Sequence, residues 1–478
     1  MKKYLKLILI SLAFGLLFSS CEHPHYKAKY VFYFIGDGMG QVQINAAEAY
    51  LAAIHGEKGF QHFAFTQFPA AGYASTYADN RFITGSAAAG TALACGKKTN
   101  INRISMNPDA TESYKTIAEK CKDMGMKVGI LSSVSIDHAT PAVFYAHQPS
   151  RDNYFEIGLD LAHSSFDFFG GGGFKSPEGE VGGTYMNAID EAKKNGFNYV
   201  NTVEEIQSLN KNSGRVIAVS NLTEESGAMR YALDLNETNL QLSDFTRKAI
   251  DVLEGEEGFF IMVEGGKIDW ACHANDAAST IHETIEFSNA IDVAIEFYKA
   301  HPEETLIVVT ADHETGGMAL GNRPTKYDTD LAILKHQIIS SQAFVEVIRD
   351  FRVNLTGDIE QDFKHMMEIM DWYFGLGNPD KIPLTEAEIA MIKKSFLTSL
   401  YTSEGAEPDH AYHDEEPLAN LLNKMMSDKA GIGWTTYSHT GVNVPVYAIG
   451  VGAPYFSNYI DNTDIPKFIE DIIVHGAH

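Results

Sequence analysis

Asp269 and His273 stand four residues apart in the segment VEGGKIDWACH, a spacing that puts a carboxylate and an imidazole on one face of a helix, where both can reach one zinc ion. The same spacing is common on helices that simply face solvent, so the pair alone decides nothing. Asp312 and His313 are adjacent in VTADHETGG, and Gly316 and Gly317 let the chain turn there and present both side chains to one pocket. Ser86 opens the run SAAAGTA, which places a hydroxyl near a helix amino terminus that favours anions. An ordinary capping serine produces the same local pattern. A metal close by would turn that hydroxyl into a nucleophile. Three further segments carry residues suited to metal or phosphate chemistry: IGDGMG with Asp37, IDHATP with His138 and Thr140 running on to Arg151, and SHTG with His439. Glu264 begins the segment that holds Asp269.

These residues need a scaffold that gathers distant segments. Short apolar runs at Val31 to Ile35, Val128 to Leu131, Phe259 to Val263, Leu306 to Val309 and Val446 to Ile449 read as buried strands, with helical stretches between them. That alternation predicts an α/β fold, a three-layer α/β/α sandwich around a large, mainly parallel central sheet whose ligands collect beyond the carboxyl ends of the strands. Asp37, Glu264 and the Asp312-His313 pair each follow such a run. Residues 321–430 break the rhythm. They are charged and helical in period, with Phe344, Val347, Ile348 and Phe351 on one stripe. Thr385 and Glu388 form a capping-box pattern flanked by Leu384 and Ile389 as a hydrophobic staple. We read 321–430 as an inserted helical cap on a catalytic core made of residues 21–320 and 431–478. Gly170 to Gly173 reads as a mobile loop rather than a phosphate cradle.

The chain has 478 residues, enough for a large core. Lys2, Lys3 and Lys6 precede an apolar run from Leu7 to Phe18, the pattern of an export signal over residues 1–20 that is too short to stay as a spanning helix. Ser19-Ser20-Cys21 resembles a bacterial lipobox with Phe18 in place of the usual leucine, so export to the periplasm or to the outer membrane as a lipoprotein, lipidated on Cys21, is expected. That lipid would be the means of membrane attachment. The net charge of −26 is opposite to that of a nucleic-acid binder. An anionic substrate therefore needs local positive charge, which divalent cations held by Asp and His would supply. Cys95, Cys121 and Cys272 are odd in number and lack CxxC spacing, which argues against a disulfide framework while leaving one pair open.

Across nearly the whole mature chain outside 321–430, the order and wording of the six segments resemble the alkaline phosphatases. The resemblance implies hydrolysis of small-molecule phosphate monoesters, with Ser86 as the nucleophile of a phosphoserine intermediate and Arg151 as a bidentate clamp on phosphate oxygens. It implies two zinc ions, one on Asp269, His273 and His439 and the other on Asp37, Asp312 and His313, and a magnesium ion on Asp37, Thr140 and Glu264. It also implies a homodimer. Softness sorts these ligands in the same way: oxygen donors suit magnesium and imidazoles suit zinc.

The chain departs from the family pattern at Gly85, where many members carry an aspartate that helps orient the arginine, and at His138 and Trp270 beside the magnesium region. Arg151 is then expected to be less restrained and the third metal's identity is open. Cys95 and Cys272 read as buried thiols and His147 as a packing or hydrogen-bonding residue. Asp409, His410, His413, Asp414 and Glu415 read as a solvated acidic loop, with an accessory metal as the alternative. Among rival activities, a sulfatase is excluded by the absence of a Cys-x-Pro-x-Arg signature, a phosphodiesterase of the same superfamily stays open, and a noncatalytic phosphate- or metal-binding surface lipoprotein is disfavoured because every ligand is retained.

Overall fold

A computed structural model of the chain describes residues 26–224, 226–236, 238–401 and 416–477. Cys21 and the acidic cluster from Asp409 to Glu415 lie outside them. The apolar runs form strands of one ten-stranded sheet. In chain order the strands are β1 (Tyr30–Gly36), β2 (Ala70–Ser75), β3 (Lys127–Ser132), β4 (Phe168–Gly171), β5 (Phe197–Val200), β6 (Arg215–Val219), β7 (Phe259–Gly265), β8 (Thr305–Ala311), β9 (Val444–Gly450) and β10 (Tyr459–Asp461). Their spatial order is β10-β2-β9-β8-β1-β7-β3-β4-β6-β5. Only β9 runs against the others, pairing antiparallel with β8 and β2. Helices cover both faces, so the central strands β1, β7 and β8 are buried along their whole length and read as continuous apolar runs rather than alternating ones.

Register carries the functional consequence. Gly36 of β1 pairs with Ala311 of β8 on one side and with Gly265 of β7 on the other, so three neighbouring strands end level with one another. Asp37, Asp312 and Glu264 therefore sit side by side at the carboxyl edge of the sheet.

The helices that matter to the site are α1 (Ser86–Cys95), α2 (Lys267–His273), α3 (Ala277–Ala300), α4 (Ser341–Val353), α5 (Ile359–Phe374), α6 (Glu386–Tyr401) and α7 (Pro417–Ala430). Helices α4 to α7 lie in the 321–430 stretch. Phe344 and Ile348 of α4 are buried, with Val347 and Phe351 packed partly against the same core. Thr385 and Glu388 cap α6 reciprocally: the Glu388 amide donates to Thr385 Oγ1 at 3.3 Å and the Thr385 amide donates to Glu388 Oε2 at 2.7 Å. Ile389 stays exposed.

The glycine run departs from expectation. Gly170 and Gly171 are buried residues of β4, not a mobile loop. A Cβ on Gly171 would stand 2.0 Å from the Ser132 carbonyl oxygen and one on Gly172 would stand 2.1 Å from that of Val134, so these glycines permit close backbone approach beside β3. Among the described residues, no helix is long and apolar enough to cross a membrane.

Candidate active site

Ser86 is the first residue of α1, and Gly85 occupies the cap position with extended backbone, so the serine is not the capping residue. Its hydroxyl instead lies 3.4 Å from His313 Nε2. Helix α1 is almost wholly buried. Gly90 lets it pack against the short helix Ala139–Ala142, since a Cβ there would come within 2.9 Å of Val143. His138 caps that short helix and Thr140 lies within it.

The histidines are oriented by what their other ring nitrogens meet. His273 Nδ1 donates to the Tyr437 carbonyl at 2.5 Å, and His439 Nδ1 donates to the Thr84 carbonyl at 2.9 Å. A carbonyl only accepts, so both rings carry a proton on Nδ1 and turn Nε2 inward. These two Nε2 atoms face one another at 3.2 Å, with Asp269 oxygens 3.4 and 3.6 Å away. Thr315 orients the third ring: its hydroxyl donates to Asp269 Oδ1 at 2.5 Å and lies 3.3 Å from His313 Nδ1. His313 Nε2 then points at Asp312 Oδ2 and Asp37 Oδ1, at 3.2 and 3.4 Å. Facing acceptors of this kind are satisfied by a cation, and an imidazole whose Nδ1 hydrogen-bonds outward is the usual geometry of a metal ligand.

Among the described residues, three groups of converging donors result: Asp269 with His273 and His439, Asp37 with Asp312 and His313, and Asp37 with His138 and Glu264. Asp37 belongs to two of them. Asp37 Oδ1, Asp312 Oδ2 and Glu264 Oε1 are buried without a hydrogen-bond partner, a costly state for carboxylates unless a positive charge joins them. Thr140 Oγ1 donates to Asp37 Oδ2 at 3.4 Å, which places it at the edge of the third group. Ser132, which the sequence did not single out, donates to Glu264 Oε2.

Electrostatics express the crowding. Burial, followed by the charges of Asp312, Asp269 and Glu264, holds Asp37 well above the usual carboxylate range, and burial raises Asp312 likewise. Glu264 is pushed up to about 7, chiefly by burial. Burial lowers His313 and His439, which keeps their rings neutral and available as ligands.

Arg151 reaches the same cavity, where its Nη2 donates to His138 Nε2 at 2.8 Å. A Cβ on Gly85 would meet open space, so no side chain occupies the place of the family's aspartate and the guanidinium is steadied by His138 instead. Trp270 packs edge-on to His138, with ring centroids 5.8 Å apart. A cleft of about 740 Å³, lined by Arg81, Phe82, Ile83, Arg151, His273 and His439 among others, opens from these groups to solvent.

A family description for alkaline phosphatase matches residues 28–474. The chain belongs to the alkaline phosphatase family. It is 32% identical over 451 residues to alkaline phosphatase 3 of Bacillus subtilis, an alignment that spans 92% of this chain and 88% of that one. Its fold matches the crystal structure of the cold-active alkaline phosphatase of the psychrophile Shewanella sp. with a TM-score of 0.78 at 27% identity, over 93% of this chain and 99% of that one. A histidine-to-glutamate variant of the TAB5 alkaline phosphatase, solved with magnesium bound in its M3 site, matches with a TM-score of 0.63 at 25% identity, over 94% of this chain and 99% of that one. The protein is accordingly a hydrolase, and its family acts on small-molecule phosphate monoesters.

The other sequence expectations have simple outcomes. Cys95, Cys121 and Cys272 are free thiols, and burial pushes Cys95 up to about 12 and Cys272 well above its ordinary range. None of the three belongs to a donor group. His147 hydrogen-bonds through both nitrogens, to the Ser105 carbonyl at 3.0 Å and to Glu119 Oε1 at 3.1 Å. Sequence reasoning passed over Thr315, Ser132 and the carbonyls of Thr84 and Tyr437. Thr315 lies within the Asp312-His313 motif and was open to notice, whereas a backbone carbonyl has no signature in sequence.

Proposed function

We propose that this alkaline phosphatase hydrolyses phosphate monoesters through a phosphoserine on Ser86, with Arg151 holding two phosphoryl oxygens. The observation that carries the reading is a pair of donor groups, one holding His273 and His439 and the other His313, whose Nε2 lies 3.4 Å from the Ser86 hydroxyl. Zinc suits the group of Asp269, His273 and His439 and the group of Asp37, Asp312 and His313, magnesium suits the group of Asp37, Thr140 and Glu264, and when bound the ions would neutralise charge on the attacking and leaving oxygens. Ser86 Oγ attacks phosphorus in line as the ester oxygen leaves, and water then attacks the phosphoserine to release phosphate and restore the hydroxyl. Residues 321–430 form the cap in this reading. The TAB5 relative, whose histidine variant binds magnesium, supports an ion in the third group; here His138, whose Nε2 accepts from Arg151, stands beside Asp37 and Glu264.

Acid quenching during turnover of a phosphate monoester should trap a phosphoryl group on the peptide that contains Ser86. Rates on a monoester and a diester, with zinc and magnesium present and then chelated, should show a metal-dependent monoesterase, and a faster diesterase would overturn the reading. Cation binding should also release protons. Asp37, Asp312 and Glu264 are raised and must lose protons to bind, whereas His313 and His439 are lowered and already neutral. Magnesium affinity at the group that holds Glu264 should therefore rise as pH increases through about 7, and titration heats should differ between buffers of unlike ionisation enthalpy. Equal heats would contradict that proton release.

Gly85→Asp gives a further test. The position has room and a negative φ of −129°, so the variant should fold normally. A carboxylate there would pre-orient Arg151 and lower the inhibition constant for inorganic phosphate by about threefold.

A further inference from the structure

Helix α2 has only seven residues, Lys267–His273, yet it carries both Asp269 and His273. Two turns cannot hold their own geometry in water, so neighbours must set it. At its start, the fully buried Lys267 Nζ donates to both carboxylate oxygens of Glu224 at 2.7 Å and sits over the rings of Tyr231 and Trp270, at 3.5 and 4.8 Å. Just past its end, the buried Asp276 caps α3 by accepting from the Ser279 amide.

Both flanking carboxylates are also bound by the amino-terminal turn of α4. Gln342 Nε2 donates to Glu224 Oε2 at 3.1 Å, and the Ser341 amide donates to Asp276 Oδ2 at 2.8 Å. Gln337, just before α4, donates to Asp276 Oδ1 at 2.9 Å. Asn423 of α7 joins the two sides, donating to the Ala274 carbonyl at the end of α2 and to Ser341 Oγ. The first amides of any helix lack partners within it and its amino terminus favours negative charge, so the Ser341 amide and the buried Asp276 satisfy each other, while the Gln342 side chain holds the partly buried Glu224.

We infer that the amino-terminal turn of α4 is a two-point brace on α2, through Glu224-Lys267 at one end and Asp276 at the other, which couples docking of the 321–430 segment to cation binding by Asp269 and His273. The inference rests on the reading that these two residues hold a cation. Lys267, Glu224, Asp276 and Gln342 are then positioning residues, and the coupling is reciprocal: docked α4 raises cation affinity, and a bound cation raises protection of α4.

The test uses zinc alone as the probe of full-length protein stripped with a chelator. Gln342→Ala and Asp276→Asn should each weaken zinc binding by about 10- to 100-fold, the range for lost partners behind metal ligands. Glu346→Ala, on the exposed face of α4, should leave zinc binding unchanged. Lys267→Met should weaken it and Lys267→Arg should restore most of it. In the wild type, zinc removal should speed amide exchange across residues 341–353. Wild type that binds zinc, with Gln342→Ala and Asp276→Asn unaffected or with α4 exchange unchanged on zinc removal, overturns the brace alone. Wild type that binds no zinc overturns both the brace and the ligand reading.

Discussion

Ser86→Ala is expected to lower turnover of a phosphate monoester by a factor of about 10³ or more, as removal of a catalytic nucleophile does in enzymes that form covalent intermediates. The fold should survive. Ser86 is the first residue of α1 and does not cap it, and alanine is the best helix former, so the helix loses no stabilising bond. The variant should also keep its metals, because Ser86 lies 3.4 Å from His313 Nε2 but outside the three donor groups. Steady-state kinetics with metal analysis on the same preparation reads both quantities. Retained turnover with normal metal content would rule out Ser86 as the nucleophile.

The second large effect is expected at Asp37. Its carboxylate belongs both to the group with Asp312 and His313 and to the group with His138 and Glu264, and it is fully buried. Asp37→Asn keeps the shape and removes the charge. Two cation sites should weaken together while Asp269, His273 and His439 keep theirs, so the bound metal should fall by two ions and turnover by about 10³ or more. Elemental analysis after dialysis against a fixed low metal concentration measures this, and loss of a single ion would show that the groups do not share Asp37. The contrast with Gly85→Asp is instructive, since that change tunes an orienting contact while this one removes a ligand common to two groups.

Much of the architecture was legible in the chain because burial on both faces leaves a simple mark. Val31 to Ile35, Phe259 to Val263 and Leu306 to Val309 are apolar without alternation, as strands covered on both sides must be, and all three became central strands. The capping box at Thr385 and Glu388 was legible because its chemistry is complete within four residues. The glycine run at Gly170 was misread because strand glycines needed for close backbone approach look, in one dimension, like a flexible loop.

Sequence alone determined the residue types for the chemistry and their order: a hydroxyl, a guanidinium, carboxylates and imidazoles, each at the end of a recognisable run. Those choices are local, made by what each side chain can donate, accept or ligate. Tertiary structure decided which residues share a donor group. The level ends of β1, β7 and β8 set Asp37, Asp312 and Glu264 side by side, and carbonyls from residues 84 and 437 turned two imidazoles inward. It also moved His138 into contact with Arg151 and tied α2 to the first turn of α4. Such pairings depend on strand register and on backbone groups that every residue carries alike, so no reading of side chains in order could reveal them.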